Sequence, residues 1–314
     1  MVSDYTLDSD NTTWNPWVGC HKCSEGCDKC YVIGQSFGDR VRINKNQYSL
    51  PIKRKRKKKG SKTETYELEY IIKPGSVIYV CTQSDFFIEE ADIWRIDAWE
   101  YIHTRNDCLF VITTKRTDRI EQCLPSNWLN GWNNVVIQAS VEDNLTAWER
   151  LTTLLALPLK HIGIEAQPLL EKLEIKEIIG SGFIERVTAG GEAYNGLDRK
   201  AKELDIEWIK HLREDCKLFD VNFIFSNTGS RVRLETGQII NVDRIIDQIY
   251  LAKFYNLNAD CAKEFDWNIT ASELEARMID EEANKIYRKI LESKLNKQLT
   301  LDDWLKSKGD SNED

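Results

Sequence analysis

Glycine and proline are scarce in this chain, at 16 and 6 of 314 residues. That scarcity excludes collagen-like and low-complexity classes. No stretch approaches the roughly 20 consecutive apolar residues that span a bilayer. The opening segment MVSDYTLDSD is polar and acidic and lacks the apolar core of a secretion signal. The expectation is a cytoplasmic protein with no membrane partner. No repeat at a solenoid period is evident. Histidine numbers only four, and His21, His103, His161 and His211 are scattered.

Aromatic residues are plentiful, with ten Trp, eleven Tyr and ten Phe. A hydrophobic fraction of 41% supports a sizeable core and excludes a wholly disordered chain. The length allows two domains, or one barrel with appendages. Charge is unevenly spread. Residues 40–62 hold eleven Lys and Arg and no acid, so the net −8 leaves −19 on the rest of the chain. The run KRKRKKK repels itself and is expected on a solvated loop within an insertion or hairpin over 40–72. It could clamp a nucleic-acid backbone or serve only as a hairpin tip. No aromatic residues interleave it to stack on bases.

From residue 66 a pattern recurs of short β-rich runs that end in polar residues and lead into helical stretches. The runs are Ser76–Cys81, Leu109–Thr113, Val135–Ala139, His161–Ile164, Arg186–Ala189 and Val221–Phe225. Helices are expected at about 91–105, 117–124, 145–156 and 205–219. Alternating short strands and helices indicate parallel βα units. With a possible first strand near the N-terminus, the α/β class narrows to a complete or partial (β/α) TIM-like barrel. An open doubly wound sheet is the alternative. Residues 1–235 would form the barrel. Residues 236–314 would form a C-terminal helical extension, with helices at 239–256 and 272–296 and a frayed tail.

Nine cysteines are present, four of them within Cys20–Cys30 in the spacing C-x2-C-x3-C-x2-C. An odd count in a reducing compartment points to metal binding or free thiols rather than a disulfide framework. Cys20, Cys23, Cys27 and Cys30 could close a tetrahedral zinc site, although a three-residue link between knuckles is tight. Alternatively they hold an iron–sulfur cluster. The subset Cys23, Cys27 and Cys30 has a C-x3-C-x2-C spacing that looks like the radical S-adenosylmethionine (SAM) signature. Cys81, Cys108, Cys123, Cys216 and Cys261 have no partner spacing and read as core.

The segment from Trp14 to Tyr31 contains a W-N-P-x-x-G-C-x6-C-x2-C-Y block. Further blocks follow in order: Ser84-Asp85-Phe86-Phe87, Thr114-Lys115-Arg116, Ser140-Val141-Glu142-Asp143, Glu165-Ala166-Gln167-Pro168-Leu169-Leu170 and Gly190-Gly191-Glu192. In this combination the chain resembles the phage-associated gene product 37 / gene product 68 family over about residues 12–230. The resemblance implies a barrel of the radical SAM type. It also implies a [4Fe–4S] cluster on Cys20, Cys27 and Cys30, with SAM bound nearby. By this resemblance Cys20 is the first ligand, whereas spacing alone favours Cys23. The family's K-x-W-G block is replaced here by Ser226-Asn227-Thr228-Gly229.

Residues just after the strands would line the site in either fold. Candidate catalytic residues are Asp85, Lys115 and Glu142. Candidate cofactor-binding residues are Arg116, Ser140, Glu165, Gly190, Gly191 and Glu192. Helix capping by Ser140, Asp143 or Asn144 and routine ion pairing are the alternative roles. Three functions are compatible with these features. The first is a radical-SAM-like enzyme supplied with electrons by a flavodoxin or ferredoxin and acting on a nucleic-acid or nucleotide-related substrate. The second is a zinc-stabilised nucleic-acid-binding protein, and the third an iron–sulfur protein that leaves SAM intact.

Overall fold

The computed structural model describes residues 12–33, 38–58, 66–193 and 201–259. The chain begins with β1 (Thr12–Trp14) and the short pair β2 (Trp17–Val18) and β3 (Arg42–Ile43). A hairpin follows, β4 (Arg54–Lys58) and β5 (Tyr66–Tyr70). The βα units are β6 (Val77–Val80) with α1 (Asp92–Thr104), β7 (Leu109–Thr114) with α2 (Ile120–Cys123), β8 (Val135–Ser140) with α3 (Asn144–Leu155), and β9 (His161–Ala166) with α4 (Lys176–Ile179). Next come β10 (Ile184–Gly190), β11 (Leu204–Asp205), α5 (Ile206–Leu218) and β12 (Asn222–Asn227). The described chain ends with β13 (Arg231–Arg233), β14 (Ile239–Asn241) and α6 (Ile245–Tyr255).

Seven strands form one parallel sheet in the order β1-β6-β7-β8-β9-β10-β12, curled into a half-barrel. The order never reverses, so no topological switch point of a doubly wound sheet exists here. The edges, β1 and β12, do not pair with each other.

Strand side chains alternate between two faces. Ile78, Phe110, Ile112, Ile137, Ile164, Val187 and Phe223 face outward into the main core with Ile102, Leu151, Leu154, Ile209 and Leu212 of the helices. On the inner face, Val77, Tyr79, Leu109, Val111 and Val136 make a separate small apolar cluster. Further along β7 and β8, and on β9 and β10 beside them, the inward positions are polar, at Thr113, Gln138, Glu165, Arg186 and Thr188. An apolar plug therefore carries a polar floor.

Two local expectations are corrected. Five of the seven residues of the run KRKRKKK form a strand rather than a loop: β4 pairs antiparallel with β5, and the Lys55 ammonium lies 3.4 Å from the carboxylate of Glu69 opposite it. Opposite charges across a ladder offset the self-repulsion that suggested a loop. Arg105 ties the base of this hairpin to the barrel. Its guanidinium donates to the carbonyls of Pro51 and Ile72 and lies 4.0 Å over the Tyr70 ring. The second correction concerns 239–256. Ile239–Asn241 pairs with Arg231–Arg233 as a strand, and the helix starts only at Ile245. That helix contributes Ala252 to the main core. The helix expected at 272–296, the tail and Cys261 lie outside the described residues. No helix among the described residues is long and apolar enough to cross a membrane.

Candidate functional site

The W-N-P-x-x-G block splices the cysteine turn onto the loop after β6. Trp14 is fully buried, and its indole N–H donates to the Gln47 carbonyl at 2.9 Å. The buried Asn15 side-chain oxygen accepts from the Gln83 backbone N–H at 2.9 Å and the Thr82 hydroxyl at 3.2 Å. Trp17 donates its indole N–H to the Asp85 carbonyl at 3.0 Å. The Gly19 backbone N–H donates to the Gln83 carbonyl at 3.0 Å.

Beyond Gly19, Cys20, Cys23, Cys27 and Cys30 all line one cavity of about 330 Å³. The cavity lies over the carboxyl ends of the strands, where parallel α/β sheets present their sites. The cysteine turn is clamped from several sides. Arg116 donates to the Cys20 Sγ at 3.8 Å and to the His21 carbonyl at 3.1 Å. Glu25 pairs with Lys202 at 2.7 Å. The Tyr31 hydroxyl donates to the Thr82 carbonyl, and His21 pairs with Glu90. Gly26 packs so closely that an added Cβ would stand 2.8 Å from the Lys115 Nζ and 3.0 Å from the Glu142 Oε1.

The Cys23 and Cys27 sulfurs are 3.8 Å apart. A hydrogen bond from Cys23 draws the Cys27 thiol down to about 5, with the Lys115 ammonium assisting against burial. Burial pushes Cys20 up to about 11 despite the nearby Arg116. Four thiols in one lining are a donor set for zinc or for an iron–sulfur cluster. Among the described residues no three His, Cys, Asp or Glu converge on a point that would hold a single ion.

Of the expected site residues, Asp85, Lys115, Arg116, Ser140 and Glu165 line this cavity. Asp85 is already engaged: it accepts from the Thr114 hydroxyl at 2.8 Å, the Lys115 N–H at 3.0 Å and the Phe87 N–H at 2.9 Å, and it pairs with Arg116 at 3.2 Å. It thus holds the Thr114-Lys115-Arg116 segment in place.

Glu142 is not part of the lining. It is fully buried beneath Gly26, 3.2 Å from Lys115 and 2.7 Å from Arg150. Asp143 caps α3 through a reciprocal bond with Thr146.

The structure does not bring Gly190, Gly191 and Glu192 into the lining. A Cβ on Gly190 would collide with the Ser226 hydroxyl, and one on Gly191 would stand 2.5 Å from the Thr228 carbonyl oxygen. The pair serves close packing of β10 on the segment after β12. Glu192 accepts from the Lys202 N–H at 2.8 Å. Sequence reasoning passed over Gln138, Gln167, Arg186, Thr188 and Ser226, which do line the cavity. Their signal was a polar residue at alternate positions of otherwise apolar strands, as in VVIQAS and IERVTAG.

Glu165 opens onto the cavity and is enclosed by protein. Burial pushes its carboxyl up to about 7, against the lowering by Arg186 and by the Gln138 amide. The folded protein therefore keeps a proton that the unfolded chain releases near pH 4.5. This group's contribution to stability is complete below that pH and is lost as pH rises through 7. Glu165→Gln removes the dependence. It should gain up to about 3 kcal/mol over the parent at pH 8 and much less at pH 5, measured by urea unfolding. An equal difference at both pH values would contradict the assignment.

No curated protein and no solved structure matches the chain. A family model described as a protein of unknown function (DUF5131) matches residues 6–295, and the chain belongs to that family.

Proposed function

We propose that the chain is a radical-SAM-like [4Fe–4S] enzyme acting on a nucleic-acid or nucleotide-related substrate. One observation carries the proposal: four clustered thiols share a small polar cavity at the strand ends of a parallel half-barrel. The likeness of the motif blocks to the phage-associated family supports it. Cys27 and Cys30 belong to both candidate ligand triads, and Cys20 and Cys23 compete for the third place. When bound, the cluster would supply the electron that cleaves SAM reductively and starts radical chemistry.

The chain's own residues do the positioning. Arg116, held by Asp85, orients the Cys20 end of the turn, and Lys115 braces its middle at Gly26. Ser140, Glu165 and Arg116 are the polar groups toward which SAM would bind. The Tyr31 hydroxyl pins the Cys30 end to the loop after β6.

The test is anaerobic purification with iron, sulfide and zinc analysis, followed by SAM and a reductant. About four irons per chain and formation of 5′-deoxyadenosine support the proposal. Stoichiometric zinc without iron overturns it.

A zinc-stabilised, non-enzymatic nucleic-acid-binding protein is the second reading. The 3.8 Å separation of Cys23 and Cys27 favours it. With zinc–sulfur bonds of about 2.3 Å, a tetrahedral site sets its sulfurs about 3.8 Å apart. In this reading the basic segment 40–62 supplies the arm. Neutralising Lys53, Arg54, Lys55 and Arg56 together should then flatten the salt dependence of nucleic-acid binding. An unchanged slope would confine the hairpin to a structural role.

A further inference from the structure

The polar floor of the cavity has hydrogen-bonding capacity that the protein does not use. Arg186 projects inward from β10 and lines the cavity. Among the described residues it has no ion-pair partner within 4.0 Å, and its buried Nε has no hydrogen-bond partner. On the same strand, the Thr188 hydroxyl is also buried without a partner, in a residue only 5% exposed. Gln138, 1% exposed, donates its amide to the Thr113 hydroxyl at 3.1 Å and to Glu165 at 3.3 Å, while its Oε1 is unpartnered.

Unmet polar groups inside a protein are rare, because each has given up water for nothing in return. Three on one floor, two on β10 and one on β8 across β9, mark a place where something else binds. An unpaired guanidinium is the strongest directional feature among them. Its planar fork matches the two oxygens of a carboxylate or phosphate. Glu165, its carboxyl pushed up by burial to about 7, is neutral below that pH and offsets the attraction only as pH rises above it. The Thr188 hydroxyl beside the guanidinium is a donor, as is the Glu165 carboxyl when protonated, which suits an oxyanion, whereas the Gln138 Oε1 is an acceptor and suits a hydroxyl or amino group of the same ligand. The cavity volume, about 330 Å³, suits a small molecule or one nucleotide rather than a folded polymer.

We propose that Arg186 and Thr188 form a substrate subsite at the cavity floor that anchors the carboxylate or phosphate of a small substrate, with the Gln138 Oε1 accepting from a donor group of the same molecule. The subsite deepens the functional proposal and rests on it for the word substrate, but anion binding there does not require a cluster at the cysteine turn.

The experiment is a calorimetric titration of the full chain with two probes, inorganic phosphate and benzoate, alongside iron analysis of the same preparation. Saturable binding of either probe is expected, about tenfold or more weaker in Arg186→Gln and unchanged in Arg54→Gln on the surface hairpin. Preference for phosphate assigns a phosphorylated substrate, and preference for benzoate a carboxylic acid. Thr188→Val, which keeps the side-chain shape, should weaken binding by a smaller factor. It carries the test if Arg186→Gln fails to fold. The proposal is overturned if neither probe saturates, or if Arg186→Gln folds and binds as the parent does. Anion binding in a preparation that never takes up iron would uphold the subsite while removing the radical-SAM proposal.

Discussion

Alanine at Cys27 or at Cys30 is expected to abolish retention of iron and sulfide by the anaerobically purified protein. Both residues belong to each candidate triad, and a cluster deprived of a shared thiolate loses a covalent anchor that water does not replace. Cys27 is buried under the turn, so its loss also removes the thiol most readily ionised. The fold should survive, because the turn is held independently by Arg116, Lys202 and the Asn15 anchor. Circular dichroism and the unfolding midpoint should therefore stay near those of the parent while iron falls to background. Cys20→Ala and Cys23→Ala should differ from each other, the true third ligand behaving like Cys27. Equal and complete loss in both would indicate four-thiolate ligation. Full retention of iron in Cys27→Ala would rule out the ligand assignment.

The second large effect is one of stability. Glu142→Ala should destabilise the protein by about 3–5 kcal/mol, because it leaves Lys115 and Arg150 facing each other without the carboxylate between them. For a chain of this size that is a fall of roughly 10 °C in the unfolding midpoint. Glu142→Gln keeps an acceptor for both cations and should lose less. The cysteine turn rests on this carboxylate through Gly26, so the alanine variant should also expose Cys27 to thiol reagents faster than the parent. A catalytic role alone would leave the midpoint and the thiol reactivity unchanged. The measurement therefore separates the role expected from the S-V-E-D block from the role the burial indicates.

Much of the half-barrel was legible in the sequence because buried parallel strands are short apolar runs with polar ends. SVIYVC, LFVIT and VVIQA became β6, β7 and β8 nearly to the residue. The basic run misled because its partner strand begins only at Tyr66, and charge pairing across a ladder is invisible in a linear scan. The cavity lining was legible where a polar residue follows a strand end, as at Asp85, Lys115, Arg116, Ser140 and Glu165. At Gly190-Gly191-Glu192 the same position after a strand packs against β12 and the segment following it, outside the cavity lining. Arg186 and Gln138 were missed because they sit inside strands. Only the inward half of the alternation tells a floor residue from a helix-packing one.

The clamps on the cysteine turn also set a timetable. Cys20 meets Arg116, 96 residues later, and Glu25 meets Lys202, about 177 residues later. At synthesis rates of about 5–20 residues per second, the thiols emerge roughly 10–35 s before their last partner exists. Throughout that interval they stand outside any cavity, reachable by whatever loads them and by whatever oxidises them. If the turn holds the metal proposed above, its place ahead of Arg116 and Lys202 in the chain would make metal delivery and oxidation competing events on the nascent chain.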